Sequence, residues 1–88
     1  MKVIKRDGRL QDFDLSKIKT SISRASDDAD QPFNESDLYN LARDIENHIG
    51  NLGNDSIKVN DIQQLVLEKL EKEGFQVVAK FYYEGKWQ

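Results

Sequence analysis

Lys2, Lys5, Arg6, Arg9, Lys17, Lys19 and Arg24 place seven of the chain's thirteen lysines and arginines before position 25, against only Asp7, Asp12 and Asp14. That segment carries a net +4 and the other 64 residues −7, in a chain of net charge −3. Ammonium and guanidinium groups recognise anions, and clustering focuses their field locally even where the total charge is negative. The chemistry on offer is therefore the binding of a compact polyanion.

Other chemistries lack their residues. With no cysteine there is no disulfide framework, thiolate zinc site, redox pair or thiol nucleophile. A single histidine, His48, removes multi-histidine metal sites and the usual nucleophile–histidine pairs; beside Ile45, Ile49 and Leu52 it reads as the border of a helix face. Carboxylates are plentiful, but pairs such as Glu68 with Lys72 at i,i+4 read as solvated helix surface. No glycine-rich phosphate loop ending in Gly-Lys-Ser/Thr occurs, so nucleotide hydrolysis has no support. The expectation is a non-enzymatic binding domain.

At 88 residues the chain allows one domain with a modest core and little room for a deep enzyme cavity. Its composition, 38% hydrophobic and 33% charged, is that of a globular protein. No apolar run approaches the roughly 20 residues of a membrane helix. The expectation is a soluble, cytoplasmic protein without a membrane partner.

The basic residues are positioned by a hairpin and a helix. Val3 and Ile4 supply the first strand, Asp7-Gly8 the turn, and Leu10 and Phe13 the return, giving a hairpin over residues 2–13. Asp14 can cap a helix over about 15–29, with Ile18, Ile22, Ala25 and Ala29 as its apolar stripe and Gln31-Pro32 as its stop. Asn34 opens a second helix to about 51, whose Leu38, Leu41, Ile45 and Ile49 form a continuous core face, with Gly50 and Gly53 bracketing its end. Ser56 to Val59 reads as a short third strand. Asn60-x-x-Gln63 reads as a capping box for a helix over about 60–73, and Gly74 separates it from a last segment, about 75–84, read as a helix.

The fold class that follows is α+β: a four-helix bundle capped by a small two- or three-stranded sheet. The joint of hairpin and first helix is the natural ligand site. The amides of Leu15, Ser16 and Lys17 are expected free there, and Lys5, Arg6 and Lys17 add full charges at one helix mouth. Phosphate groups fit this description best.

Val3-x-Lys5-Arg6-Asp7-Gly8 followed by Phe13-Asp14-x-x-Lys17-Ile18 resembles the opening of the ATP-cone domain, the nucleotide-binding regulatory domain of ribonucleotide reductases and of their transcriptional repressor. The likeness continues in Ile57-x-Val59-x-Asp61-Ile62-x-x-Leu65-Val66 and in Val78-Ala79-Lys80-x-Tyr82, so it covers nearly the whole chain as a single cone over residues 1–88. It implies binding of ATP or dATP near the sheet. Lys5, Arg6 and Lys17 would hold the phosphates, Val3 and Ile18 would line the base, and Gln11 and Asp14 would offer polar contacts to adenine. Gln63 is a further candidate for ribose or phosphate, and Lys80 for phosphate. Mg²⁺ would accompany the triphosphate, with Asp7 or Asp14 holding one of its waters.

Beside these roles stand plainer ones. Val3, Phe13 and Ile18 serve the core first, and Arg9, Lys19 and Arg24 read as solvated charges. The end of the chain, Glu84-Gly85-Lys86-Trp87-Gln88, departs from the tyrosine and arginine usual in the family, with Trp87 either docking on a partner or folding back. Neither a reductase's radical chemistry nor a repressor's zinc ribbon can reside in these cysteine-free residues. The expected partners are therefore an adenine nucleotide, with a reductase subunit or a second copy of the chain receiving the signal. Direct nucleic-acid binding is disfavoured by the sequence pI near 5.1. The alternative is a module that kept this fold for nucleic-acid or protein contact and lost its nucleotide.

Overall fold

The computed structural model describes residues 1–84. Strand β1 (Lys2–Ile4) and strand β2 (Leu10–Asp12) form an antiparallel hairpin, with Val3 opposite Gln11. Its turn is closed by Gly8 N–H donating to the Lys5 carbonyl at 2.9 Å, with Gly8 at φ +87°, where a side chain would be strained. The Asp7 carboxylate accepts from Arg9 N–H at 3.1 Å and from Arg9 Nε at 2.7 Å, locking the turn from within. Helix α1 (Leu15–Asp28) and helix α2 (Glu35–Asn51) follow, then strand β3 (Ser56–Lys58), which lies parallel to β1 and gives a sheet ordered β2-β1-β3. Helix α3 (Val59–Lys72) begins directly at the strand's end, and helix α4 (Gln76–Glu84) completes the described chain. The architecture is the four-helix, small-sheet α+β fold that the periodicities imply.

The core collects one stripe from each helix: Ile18, Ile22 and Ala25 of α1, Leu38, Leu41, Ile45 and Ile49 of α2, Ile62, Val66 and Leu70 of α3, and Val78, Ala79 and Tyr82 of α4. Helix α1 packs chiefly on α4 and α2, and α3 on α4. Val3 and Ile57, register partners on β1 and β3, close the sheet end of this core. No described helix is long and apolar enough to cross a membrane.

Local geometry sets the helix boundaries, and one of them, the start of α3, differs from the sequence reading. Helix α1 stops before Gln31-Pro32, because Asp30 takes a left-handed conformation (φ 56°), Asp30 N–H reaches the Asp27 carbonyl and Gln31 N–H the Ser26 carbonyl. Gly50 lies inside α2, and only Gly53 (φ 72°) belongs to its stop. The expected capping box of α3 does not form. Lys58 is the N-cap and offers no side-chain hydrogen bond, since the strand runs straight into the helix and leaves Asn60 inside the first turn. Its amide is turned elsewhere, as is that of Gln63. The last segment, Phe75 onward, is helical from Gln76, and its start is fixed by Gly74 (φ +89°) with Phe75 N–H donating to the Leu70 carbonyl at 2.8 Å. Gly85, Lys86 and Trp87 lie outside the described residues.

Candidate functional site

A cleft opens where the hairpin meets α1 and the start of α3. Val3, Lys5, Gln11, Asp12, Phe13, Asp14, Lys17, Ile18, Val59 and Ile62 line it. Strand alternation turns Val3 and its partner Gln11 to the same inner face, so an apolar floor and a polar wall are cross-strand neighbours. Ile18 and Ile62 complete the floor from the two helices, both almost wholly buried. The enclosed space is only about 20 Å³, room for about one water. Anything larger rests on the open bed above it or displaces the lining side chains.

Lys5 from the hairpin and Lys17 from the first turn of α1 reach this cleft, and neither belongs to an ion pair among the described residues. Their neighbours differ. Lys2 is bonded to Asp12, and Arg9 to Asp7 at 2.7 Å. The Lys2 ammonium holds the Asp12 carboxyl below its usual range, and the backbone N–H of Arg9, aided by its guanidinium, does so for Asp7. Of the hairpin's four basic side chains, two are therefore matched internally, while Lys5 and Arg6 meet no carboxylate among the described residues.

Asp14 caps α1. Its carboxylate accepts from Ser16 Oγ at 2.6 Å and from Ser16 N–H at 3.0 Å, and these two bonds keep its carboxyl below the usual range. Lys17 N–H donates to the Asp14 carbonyl at 3.2 Å. Two of the three amides expected to be free at this helix mouth are thus already bonded to Asp14. The cap therefore offers an anion little beyond the Leu15 amide, and the positive charge at this helix mouth is that of the Lys5 and Lys17 side chains.

Arg6 follows the lining residue Lys5 in the hairpin, and its partners on α3 flank the lining residue Ile62. Its Nε donates to Asn60 Oδ1 and its Nη2 to Gln63 Oε1, each at 3.3 Å, tying the hairpin to the first turn of α3. Of the residues singled out in the sequence, Val3, Lys5, Gln11, Asp14, Lys17 and Ile18 line one cleft, Arg6 and Gln63 are bonded to each other beside the lining residues Lys5 and Ile62, and Lys80 sits exposed on α4 outside its lining. Asp7, committed to Arg9 in the turn, is also outside it, which leaves Asp14 as the carboxylate of the earlier pair that could hold a metal-bound water. Sequence reasoning passed over Asp12 as a lining group and Asn60 as a partner of Arg6. The signal for Asn60, a polar residue three before a glutamine, was the one read as a helix cap.

A family model described as the ATP cone domain matches residues 1–85. The chain belongs to the ATP-cone family. Curated relatives agree: the cone is 37% identical over 70 residues to the transcriptional repressor NrdR of Caldicellulosiruptor saccharolyticus, a match covering 80% of this chain and 44% of the relative. It is 37% identical over 71 residues to NrdR of Prochlorococcus marinus strain AS9601, covering 81% and 43%, and 33% identical over 70 residues to NrdR of Thermosipho melanesiensis, covering 80% and 45%. The chain thus spans less than half the length of the relatives it matches. As an ATP-cone it is a regulatory domain and not an enzyme.

Proposed function

We propose that this ATP-cone is a sensor that binds ATP or dATP reversibly in the cleft between hairpin, α1 and α3, and passes the occupancy to ribonucleotide reductase or to its expression. One observation carries the reading: Lys5 and Lys17, which have no ion-pair partner among the described residues, line one cleft with the apolar Val3, Ile18 and Ile62 and with Gln11. Cationic side chains over an apolar bed suit a ligand that is planar and apolar at one end and polyanionic at the other. The base would lie toward Val3, Ile18 and Gln11, and the phosphates toward Lys5, Lys17 and Arg6. Gln63 is adjacent for ribose or phosphate, and Lys80 is assigned only a distant electrostatic part. Mg²⁺ enters with the triphosphate, whose charge it partly neutralises. If ATP and dATP settle on this bed differently, they shift the balance of conformers or of self-association by their difference in affinity for each state.

Displacement of a fluorescent ATP analogue tests this: ATP and dATP compete and GTP competes poorly. Equal competition by all three would sink the adenine assignment.

A second reading, direct nucleic-acid contact by the hairpin, is favoured by one fact, that the relatives are named transcriptional repressors. The internal pairing of Lys2 with Asp12 and Arg9 with Asp7 weakens it, since it leaves the hairpin two uncompensated charges where a long polyanion needs a row.

A further inference from the structure

Arg6 is the hairpin's link to α3, and its partners are unusual for an arginine. Both are neutral amide oxygens, Asn60 Oδ1 and Gln63 Oε1. A carboxylate at either place would fix the guanidinium more firmly but would also neutralise it. An amide oxygen orients the fork and leaves its charge intact. The chain has sixteen acidic residues and neutralises Lys2 and Arg9 on the same hairpin with two of them, yet Arg6 meets none among the described residues. The two bonds take Nε and one Nη2 hydrogen, so a phosphate oxygen can accept from the guanidinium's other N–H donors while both amides stay in place.

From this geometry we infer that Asn60 is a positioning residue: it holds the Arg6 guanidinium beside the cleft, oriented and uncompensated, for the phosphates of the nucleotide. The inference rests on the proposed nucleotide site. Asn60 can serve because α3 does not use it as a cap; Lys58 occupies that position, and Asn60 projects from an exposed place in the first turn. Asn60 itself need not touch the ligand. It sets where Arg6 waits, so less rotamer freedom is lost when the phosphate arrives.

The test is a double-mutant cycle of Asn60→Ala and Arg6→Ala, read by calorimetric titration with MgATP, inorganic tripolyphosphate and adenosine. Asn60→Ala is expected to weaken MgATP and tripolyphosphate about two- to tenfold and to leave adenosine unchanged. In the Arg6→Ala background the same substitution should have no further effect on any of the three. Asn60→Asp, which supplies a neutralising carboxylate, should weaken tripolyphosphate more than Asn60→Ala does. Equal losses for adenosine and tripolyphosphate, additive losses in the cycle, or an Asn60→Ala protein that binds like the parent would each overturn the positioning role while leaving the nucleotide site standing. A parent protein that binds none of the three ligands would remove the site itself and the inference with it.

Discussion

Val3 and Gln11 face each other across the β1–β2 register, and both turn into the cleft. Cross-strand pairing therefore places the floor and the hydrogen-bonding wall at a fixed spacing set by the hairpin, without help from any loop. Gln11 is the nearer of the two to solvent, so its amide can be removed without opening the core. Gln11→Ala is expected to narrow the preference for ATP over GTP several-fold while leaving the free energy of unfolding within about 0.5 kcal/mol of the parent. Dissociation constants for the two nucleotides, measured beside a urea melt, check both halves.

The glycines give a sign contrast. Gly74 sits at φ +89° between α3 and α4, and an alanine there is strained even though nothing lies within 4 Å of the added carbon. Gly50 lies inside α2 with similar open space and ordinary backbone. Gly74→Ala should cost about 1–2 kcal/mol and Gly50→Ala should add roughly 0.5–1 kcal/mol. Thermal melts of the two single variants should move in opposite directions.

Acid should weaken the hairpin and the α1 cap together. The carboxyls of Asp7, Asp12 and Asp14 all titrate below their ordinary value of 3.8, held down respectively by the Arg9 backbone N–H, the Lys2 ammonium and the Ser16 hydroxyl. A folded value below the unfolded one contributes stability that is complete above the unfolded value and is lost as pH falls through the folded value. The free energy of unfolding should therefore hold steady above about pH 5 on account of these groups and decline below about pH 4. Ser16→Ala removes the first donor to Asp14 and should raise that carboxyl's midpoint, which a carbon-detected NMR titration reads directly.

Ile22 is fully buried on α1, in the layer that packs against α4 and α2. Truncating it to alanine removes apolar burial and leaves a cavity that neighbouring helices close only partly, at a cost of about 2–5 kcal/mol. Ligand should recover part of that loss, because binding only the native state raises its stability by mass action. Urea melts of Ile22→Ala with and without MgATP measure both effects.

The apolar stripes of the helices were legible because 3.6-residue spacing is imposed by the helix itself: Ile18, Ile22 and Ala25, or Leu38, Leu41, Ile45 and Ile49, had few other ways to be buried. The caps Asp14 and Asn34 were legible for the same local reason, each accepting a first-turn N–H. What the sequence concealed was nonlocal. Asn60 and Gln63 have capping-box spacing, yet β3 delivers the chain into α3 already in register and Arg6, 54 residues earlier, takes the Asn60 amide instead. Likewise nothing local foretells that Lys2 and Arg9 are matched by carboxylates of their own hairpin whereas Lys5 is left open, because that depends on strand register and turn geometry.

The proposed adenine-nucleotide site stands or falls with Lys5 and Lys17. Calorimetric titration of ATP, dATP and GTP in Mg²⁺, on the parent and on Lys5→Ala and Lys17→Ala, tests it most directly. Adenine-selective heat is expected in the parent, with affinity lower by about tenfold or more in each variant, the scale of a lost charge-assisted hydrogen bond. Heat that is absent from the parent, or unchanged in both variants, would contradict it.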